Sequence, residues 1–304
     1  MTKHNMQLLR ESCLKNGPLC VGLDTDPSYL PPEILSEFKT PSEAVLAYNL
    51  GIIENIRDYA GCFKIQIAYY EAMGLAGLNV YTQTVKAVKK AGFPVISDIK
   101  RGDIADTAKA YARAHFSGDF ETDIITVNPY MGFDTLEPFT EWCSKAGKGL
   151  FVLLCTSNPG RDNIEKQELK QGGLLLDQVG TELNRLEKQF SALYSDCKCS
   201  PVGAVVGCTA EEDAKKLREE YPNVFFLIPG YGAQGGQARI AATLLDKAGG
   251  TVNSSRGILL AWKKDPALEE KRSKSKLTMD DIVSAAVSAA EKSKQELLAA
   301  KAAL

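Results

Sequence analysis

The stretch VISDIKRGDI, residues 95–104, begins as an apolar strand and ends in alternating charge. Residues i and i+2 of a strand point to the same face, so Asp98 and Lys100 project together. Asp103 follows three residues after Lys100, on the connection into the next segment. Charges beside a buried strand are costly unless they are paired. The stretch therefore predicts either a structural ion pair at a strand end or a carboxylate–ammonium–carboxylate array that performs chemistry.

Composition limits the kind of protein. The chain has 304 residues, 44% of them hydrophobic, and a formal net charge of −2, which fits one large α/β domain or two small ones. The near-neutral charge predicts no nucleic-acid partner. No apolar run approaches the roughly 20 residues needed to cross a bilayer, and residues 1–19 lack the apolar core of a signal peptide. We therefore expect a cytoplasmic protein without membrane contact.

Cysteine and histidine limit the available chemistry. None of the eight cysteines belongs to a Cys-x-x-Cys pair, so we expect reduced structural thiols rather than a zinc site. His4 falls in a terminus that we expect to be frayed, and His115 falls in a polar helix. A catalytic triad or a His-rich metal site would need one of these two histidines. If the chain is an enzyme, we expect its acid–base chemistry to use lysine and carboxylate, without metal or cofactor.

Short apolar runs alternate with helical patterns along the chain, and the runs predict eight strands, at 19–24, 62–67, 93–100, 123–127, 150–155, 202–207, 224–228 and 251–254. Continuously apolar strands are typical of parallel sheets covered by helices. Eight strand–helix units over about 250 residues predict a (β/α)8 barrel. A doubly wound open sheet is the alternative, because strand counting cannot show closure. We assign 1–263 to the barrel domain and 264–304 to a charged linker and a C-terminal helix packed on the barrel, with Thr278 as N-cap.

In a barrel, catalytic groups lie at the C-terminal ends of the strands, and several predicted strand ends carry polar residues. Strand one ends at Asp24, strand two carries Lys64, strand three carries Asp98 and Lys100, and strand five runs into TSNPG at 156–160. A lone strand lysine is usually a snorkelling surface residue. Two lysines and three aspartates at one barrel mouth instead predict a charge array. A lysine held between carboxylates stays protonated, because opposite charges raise its pKa, and is therefore a proton donor.

Glycine collects after the seventh strand, in PGYGAQGGQ at 229–237, and NSSRG at 253–257 leads from the eighth strand into a short helix. Barrels often bind phosphate with the loops after strands seven and eight. Glycine lets backbone N–H groups approach a ligand closely, and Arg256 adds a bidentate cation. The two loops are either ordinary turns or a phosphate site, and the phosphate site predicts a phosphorylated substrate.

In these motifs the chain resembles the orotidine 5′-phosphate decarboxylase family, and it looks most like the longer bacterial-type branch. The resemblance covers about residues 19–262. Its most specific element is DIKRGDI at 98–104 followed by Thr107. Other motifs match in order and spacing: VGLD at 21–24, FK at 63–64, TSNPG at 156–160, GYGAQGG at 230–236 and SRG at 255–257.

The resemblance implies a (β/α)8 homodimer that takes orotidine 5′-phosphate without a cofactor, in an active site completed across the interface. It implies a charge array in which Lys100 stabilises the carbanion left at C6 when CO2 leaves and then protonates it. The implied catalytic residues are Lys64, Asp98, Lys100 and Asp103. The implied substrate contacts are Asp24 and Lys64 at the ribose, Ser157 at the pyrimidine edge, Gln234 and Gly235 in the closing loop, Arg256 and Gly257 at the phosphate, and Asp103, Ile104 and Thr107 in the partner's site.

Two other functions fit part of the pattern. A magnesium-dependent sugar-phosphate decarboxylase or aldolase of the same superfamily shares the Asp-x-Lys-x-x-Asp signature, but this chain has Lys64 where those relatives look to have a metal-binding Glu. A phosphate-ligand binding barrel without turnover would not require the full set of Asp98, Lys100 and Asp103. The sequence therefore favours the decarboxylase over both.

Overall fold

The computed structural model describes residues 3–207, 210–231 and 238–304. In these residues, eight parallel strands form a closed barrel in sequence order. The strands are β1 (Leu19–Gly22), β2 (Cys62–Gln66), β3 (Val95–Arg101), β4 (Ile124–Val127), β5 (Gly149–Cys155), β6 (Val202–Val206), β7 (Phe226–Ile228) and β8 (Gly250–Ser254). Pairing of Leu19 in β1 with Val252 in β8 closes the sheet. The prediction of a (β/α)8 barrel is confirmed, and the doubly wound open sheet is wrong.

Helices cover the outside of the barrel. Those in the described residues are α1 (Asn5–Asn16), α2 (Pro32–Leu35), α3 (Pro41–Asn55), α4 (Ile67–Glu71), α5 (Gly74–Lys90), α6 (Ala105–Phe116), α7 (Glu137–Ala146), α8 (Leu175–Leu193), α9 (Glu211–Glu220), α10 (Ala238–Leu244), α11 (Arg256–Leu259), α12 (Glu269–Ser273) and α13 (Met279–Ala302). None of them combines the length and the apolar character needed to cross a membrane. The strands read as apolar runs because their outward side chains are buried under these helices.

The helix α1 closes the N-terminal end of the barrel. Its residues Met6, Leu9 and Cys13 are buried in a core that fills the barrel interior below the site. Side-chain hydrogen bonds tie the helix to the chain just before the strands, and one of them joins Asn5 Nδ2 to the Asp123 carbonyl oxygen at 3.1 Å. A polar-looking N-terminal stretch therefore supplies part of the core.

His4 is fully buried and caps α1. Its Nδ1 accepts a hydrogen bond from the Gln7 N–H at 3.1 Å, and its Nε2 lies 3.0 Å from the Cys199 carbonyl oxygen. Burial lowers the pKa of His4 to about 4. The expectation of a frayed terminus is wrong, because the open end of the barrel offers apolar surface for α1 to cover. His115 is buried as well and stacks on Phe120.

The C-terminal helix α13 lies on the outside of the barrel against α3 and α10. The predicted N-cap is confirmed, since Thr278 Oγ1 accepts a hydrogen bond from the Asp281 N–H at 3.3 Å and Asp281 accepts one from the Thr278 N–H at 3.0 Å. Ile282, Ala286 and Ala290 are fully buried along one stripe of the helix. The division of the chain at residue 263 stays a prediction.

Candidate active site

Lys64 lies at the centre of the C-terminal end of the barrel. Its Nζ is 2.9 Å from Asp24 Oδ1 and 3.0 Å from Asp98 Oδ2, and only 4% of the residue is exposed. Burial acts to lower the pKa of Lys64, but the two carboxylates outweigh burial and hold that pKa above its ordinary value. The ammonium is therefore charged at neutral pH and is fixed between its two partners.

Lys100 lies on the other side of Asp98. Its Nζ is 2.6 Å from Asp98 Oδ1, and its side chain is 45% exposed, so it is the more accessible ammonium. Burial acts to raise the pKa of Asp98, but Lys64 and Lys100 outweigh burial and hold it below its usual range. These groups form a continuous row of alternating charge, which runs from Asp24 through Lys64 and Asp98 to Lys100. The part of Asp103 in the predicted array stays a prediction.

The backbone of Lys100 is strained. Its φ is +45°, in the left-handed region that costs a non-glycine residue about 1–3 kcal/mol. The register between β3 and β4 shifts between Ser97 and Arg101, as it does at bulges that re-aim a side chain near an active site. Strain of this kind collects at functional sites, so the backbone points independently to Lys100 as a functional residue.

Thr126 of β4 is a site residue that the sequence alone does not single out. It is fully buried. Its Oγ1 donates to Asp98 Oδ1 at 2.9 Å and accepts a hydrogen bond from the Lys100 N–H at 2.9 Å. Ile96 pairs with Ile124 across β3 and β4, so Asp98 and Thr126, two residues further along each strand, lie level in the barrel. One hydroxyl therefore holds both the carboxylate and the backbone of the lysine.

A cavity of about 380 Å³ opens beside the array and is lined in part by Asp24, Ser157 and Arg256. These are three of the predicted substrate contacts, and the fold brings them together from the ends of β1, β5 and β8. Ser255 Oγ donates to Asp24 Oδ2 at 2.7 Å and so connects the loop after β8 to the charge array. Gly257 follows Arg256, and a Cβ at this glycine would lie 2.8 Å from Ser254 Oγ.

The remaining predicted contacts lie elsewhere. In the described part of the chain, the cavity lining does not include Asp103, Ile104 or Thr107, and of the charge array it includes Asp24 but not Lys64, Asp98 or Lys100. Asp103 Oδ1 accepts a hydrogen bond from the Ile104 N–H at 2.8 Å, Ile104 is 55% exposed, and Thr107 is exposed on the first turn of α6. Gln234 and Gly235 lie outside the described residues.

The donor set of the site suits proton chemistry. Among residues 3–207, 210–231 and 238–304, no three His, Cys, Asp or Glu side chains are grouped in a way that could hold a metal ion. The carboxylates of Asp24 and Asp98 enclose the ammonium of Lys64 instead. The fold and the site define a class, namely (β/α)8 barrels that carry alternating lysine and carboxylate groups at the C-terminal ends of their strands.

Comparisons with known proteins identify the family within this class. A family model described as the orotidine 5′-phosphate decarboxylase / HUMPS family matches residues 17–271. The chain is 51% identical over 257 residues to orotidine 5′-phosphate decarboxylase of Clostridium botulinum (strain Langeland), covering 84% of this chain and 89% of that protein. It is 49% identical over 257 residues to the Clostridium novyi protein of the same name, covering 84% and 88%.

A solved structure also supports this family. The structure of Leishmania donovani OMP decarboxylase matches with a TM-score of 0.72 at 29% identity, covering 99% of this chain and 100% of that chain. The chain therefore belongs to the orotidine 5′-phosphate decarboxylase / HUMPS family, and the predicted resemblance is confirmed.

Proposed function

We propose that this chain is a carboxy-lyase that converts orotidine 5′-phosphate to uridine 5′-phosphate and CO2, a step of pyrimidine biosynthesis. The observation that carries the proposal is the alternating row of Asp24, Lys64, Asp98 and Lys100 beside a cavity that Arg256 lines. Relatives as similar as 51% identity bear the name of this activity.

Lys100 is the proton donor. The bond from C6 to the carboxylate breaks, the electron pair stays on C6, and the Lys100 ammonium stabilises this developing charge before its proton forms the new C–H bond. The neutral amine then regains a proton from water. Because Asp98 and Thr126 already hold the side chain and backbone of Lys100, little reorganisation is needed as the charge develops.

Asp98 stays ionised between two ammonium groups and faces the carboxylate of the substrate. Repulsion between the two carboxylates disfavours the bound substrate more than the transition state, from which CO2 is leaving. We assign this repulsion a smaller share of the rate than the electrostatic effect of Lys100.

The cavity binds the rest of the nucleotide. Asp24 and Lys64 hold the ribose hydroxyls, Ser157 contacts the pyrimidine edge, and Arg256 with Gly257 grips the phosphate. A volume of about 380 Å³ lies within the range of small-molecule sites, roughly 300–1,000 Å³. The family resemblance adds Gln234 and Gly235, which lie outside the described residues, as substrate contacts. Binding of the phosphate far from C6 contributes to lowering the barrier at C6.

We also propose a homodimer with a shared site. The connection after β3 carries Asp103 and Ile104, neither of which lines the cavity that the described residues of its own chain form. The loop after β4 exposes Tyr130 and Met131 by 74% and 51%. The two loops touch, since a Cβ at Gly102 would lie 2.7 Å from the Asn128 carbonyl oxygen. Exposed apolar groups on adjoining loops fit a subunit interface. Asp103 of each chain then completes the charge array of its partner.

Complementation tests the shared site. Mixing inactive Lys100→Ala protein with inactive Asp103→Ala protein gives mixed dimers in which one site has both groups. Activity should then return to roughly a quarter of wild type after random exchange. The matched control mixes Lys64→Ala with Lys100→Ala, which lie in one chain's array and cannot complement. If mass spectrometry confirms subunit exchange and Lys100→Ala with Asp103→Ala stays inactive, Asp103 serves its own chain.

The reaction itself is tested by mixing purified protein with orotidine 5′-phosphate and following the fall in its absorbance. The proposal predicts turnover. A magnesium-dependent sugar-phosphate enzyme would leave this nucleotide unchanged and act on a sugar phosphate only with Mg²⁺. A binding barrel would take up the nucleotide without turnover, and either outcome would refute the proposal.

We also propose that the protein is located in the cytoplasm. The barrel interior holds the unbridged thiols of Cys13, Cys20 and Cys62, which suit a reducing compartment. Fractionation of cells that carry a tagged copy checks the location, and recovery outside the cytoplasm contradicts it.

A further inference from the structure

The segment of residues 156–174, between β5 and α8, carries Ser157 at its start. We infer that Arg161 and Glu165 of this segment are positioning residues that hold Ser157 against the pyrimidine ring. The inference rests on the contact with the pyrimidine edge proposed for Ser157 above. Neither residue belongs to a motif that the sequence singles out, and both act through the backbone next to Ser157.

Glu165 fixes the residue directly before Ser157. Its two carboxylate oxygens accept hydrogen bonds from the Thr156 N–H at 3.1 and 2.9 Å, and Thr156 Oγ1 donates to Glu165 Oε1 at 2.6 Å. Bonds to a charged acceptor are about twice as strong as neutral ones. The backbone and the side chain of Thr156 are therefore both tied to one carboxylate.

Arg161 joins the ends of two strands. Its Nη1 donates to the Thr156 carbonyl oxygen at 3.1 Å and to the Gly207 carbonyl oxygen at 3.0 Å. The side chain is only 9% exposed, and the carboxylates of Asp162 and Asp213 lie further away, at 3.6 and 3.9 Å. A nearly buried cation held mainly by carbonyl oxygens is costly for stability, so its presence fits a geometric task.

Gly207 confines Ser157 from the opposite side. A Cβ at Gly207 would lie 2.8 Å from Ser157 Cβ and 2.9 Å from the Ser157 backbone nitrogen. The Gly207 N–H also donates to the Cys155 carbonyl oxygen at 2.7 Å. Ser157 thus rests on the end of β6, while Arg161 and Glu165 hold the residue before it.

The rest of the segment has hydrogen bonds of its own. The Gly172 N–H donates to the Leu169 carbonyl oxygen at 2.9 Å, and the Leu174 N–H donates to Asp177 Oδ2 at 2.7 Å. These bonds form a turn that leads into α8 and do not involve Arg161 or Glu165. The Glu165 main chain takes part in this connection, since the Leu176 N–H donates to the Glu165 carbonyl oxygen at 3.0 Å. The side chains of Arg161 and Glu165 instead bond to Thr156 and Gly207.

The test compares two inhibitors in the full-length enzyme. Uridine 5′-phosphate presents pyrimidine, ribose and phosphate, whereas ribose 5-phosphate lacks the pyrimidine. Glu165→Gln should weaken inhibition by uridine 5′-phosphate about ten-fold, the factor expected for one lost hydrogen bond, and leave inhibition by ribose 5-phosphate unchanged. The matched control is Glu168→Gln, an exposed carboxylate of the same segment, which should change neither value.

Repeating the test in a Ser157→Ala protein shows whether Glu165 acts through Ser157 or only through general stability. In Ser157→Ala protein, Glu165→Gln should have no further effect, because residues that act through one another are not additive. Gly207→Ala, whose new Cβ would press directly on Ser157, should change the ratio of the two inhibition constants as Glu165→Gln does. It serves if Arg161→Met fails to fold.

Three results would overturn the inference. One is that uridine 5′-phosphate inhibits the Glu165→Gln and Glu168→Gln proteins equally well. Another is an undiminished effect of Glu165→Gln in the Ser157→Ala background, which would show that Glu165 acts elsewhere. The third is a Ser157→Ala protein with an unchanged ratio of the two inhibition constants, which would remove the proposed contact of Ser157 and the inference with it.

Discussion

Replacing Thr126 by valine tests whether the strained backbone of Lys100 matters for catalysis. Valine has nearly the same shape as threonine but lacks the hydroxyl, so the change removes two hydrogen bonds and little packing. The bonds lost are the one donated to Asp98 and the one accepted from the Lys100 N–H, each 2.9 Å long. Thr126→Ser keeps the hydroxyl and is the matched control.

The magnitude follows from these two bonds. A hydrogen bond to a charged group contributes about 1.5–3 kcal/mol, and a neutral one about 1 kcal/mol. Asp98 keeps its bonds to Lys64 and Lys100 at 3.0 and 2.6 Å, so we expect the free energy of unfolding to fall by roughly 3 kcal/mol. If about 2 kcal/mol of this loss reaches the transition state through Lys100, kcat should fall about thirty-fold.

The assay separates kcat from KM. Thr126 contacts Asp98 and the Lys100 backbone, and neither is assigned to the ribose or the phosphate. KM for orotidine 5′-phosphate should therefore change little while kcat falls, and Thr126→Ser should restore most of kcat. Urea denaturation measures the loss of stability separately. A Thr126→Val protein that is less stable but keeps wild-type kcat would refute the reasoning, because Lys100 would then need no support from β4.

Three further predictions concern the phosphate, metal and pH. Arg256→Ala should weaken binding of uridine 5′-phosphate by roughly 2 kcal/mol or more and leave uridine binding unchanged; equal loss for both ligands in calorimetry would contradict the phosphate role. Decarboxylation should persist in excess EDTA, and loss that Mg²⁺ restores would show a metal requirement. Burial lowers the pKa of His4 and of His115 from 6.5 to about 4, so the unfolded chain binds these protons first and the free energy of unfolding falls as pH drops from 6.5 to 4. His4→Asn, which keeps a good N-cap, should remove about half of this slope in denaturation measured across that range, and an unchanged slope would contradict the burial argument.

The barrel and the charge array could be predicted because local signals specify both. Apolar runs mark parallel strands, and the i, i+2 rule places Asp98 and Lys100 on one side of a strand. Once the runs form a barrel, strand ends converge on one mouth, which brings Asp24 and Lys64 to the same array. The contacts observed among these four groups, at 2.6–3.0 Å, follow from these two signals.

Thr126 and α1 could not be predicted in the same way. The contact of Thr126 with Asp98 depends on the register between β3 and β4, which is not a local property. The spacing of Met6, Leu9 and Cys13 is helical, but their burial depends on the open end of the barrel. Tertiary context therefore decided both features, although the helical spacing in α1 was a signal that could have been used.

Arg161 and Glu165 illustrate a third case. Both belong to a charged stretch that looks solvated in the sequence, and Lys166 and Glu168 beside them are in fact exposed. What distinguishes Arg161 and Glu165 is that backbone groups of Thr156 and Gly207 turn toward them. Such partners are visible only after the ends of β5 and β6 have been placed.

The geometry also supports the choice of Lys100 over Lys64 as the proposed proton donor. Lys64 contacts a carboxylate on each side and is 4% exposed, and its pKa lies above its ordinary value. Giving up its proton would leave the Asp24 carboxylate without the ammonium that it contacts. Lys100 contacts only Asp98 within the array, and Lys64 still neutralises that carboxylate when the Lys100 proton leaves. When CO2 leaves, the negative charge of the substrate carboxylate stays on C6 as an electron pair, and the Lys100 proton neutralises it there. In the proposed mechanism, Lys64 is thus the fixed counter-charge and Lys100 is the acid.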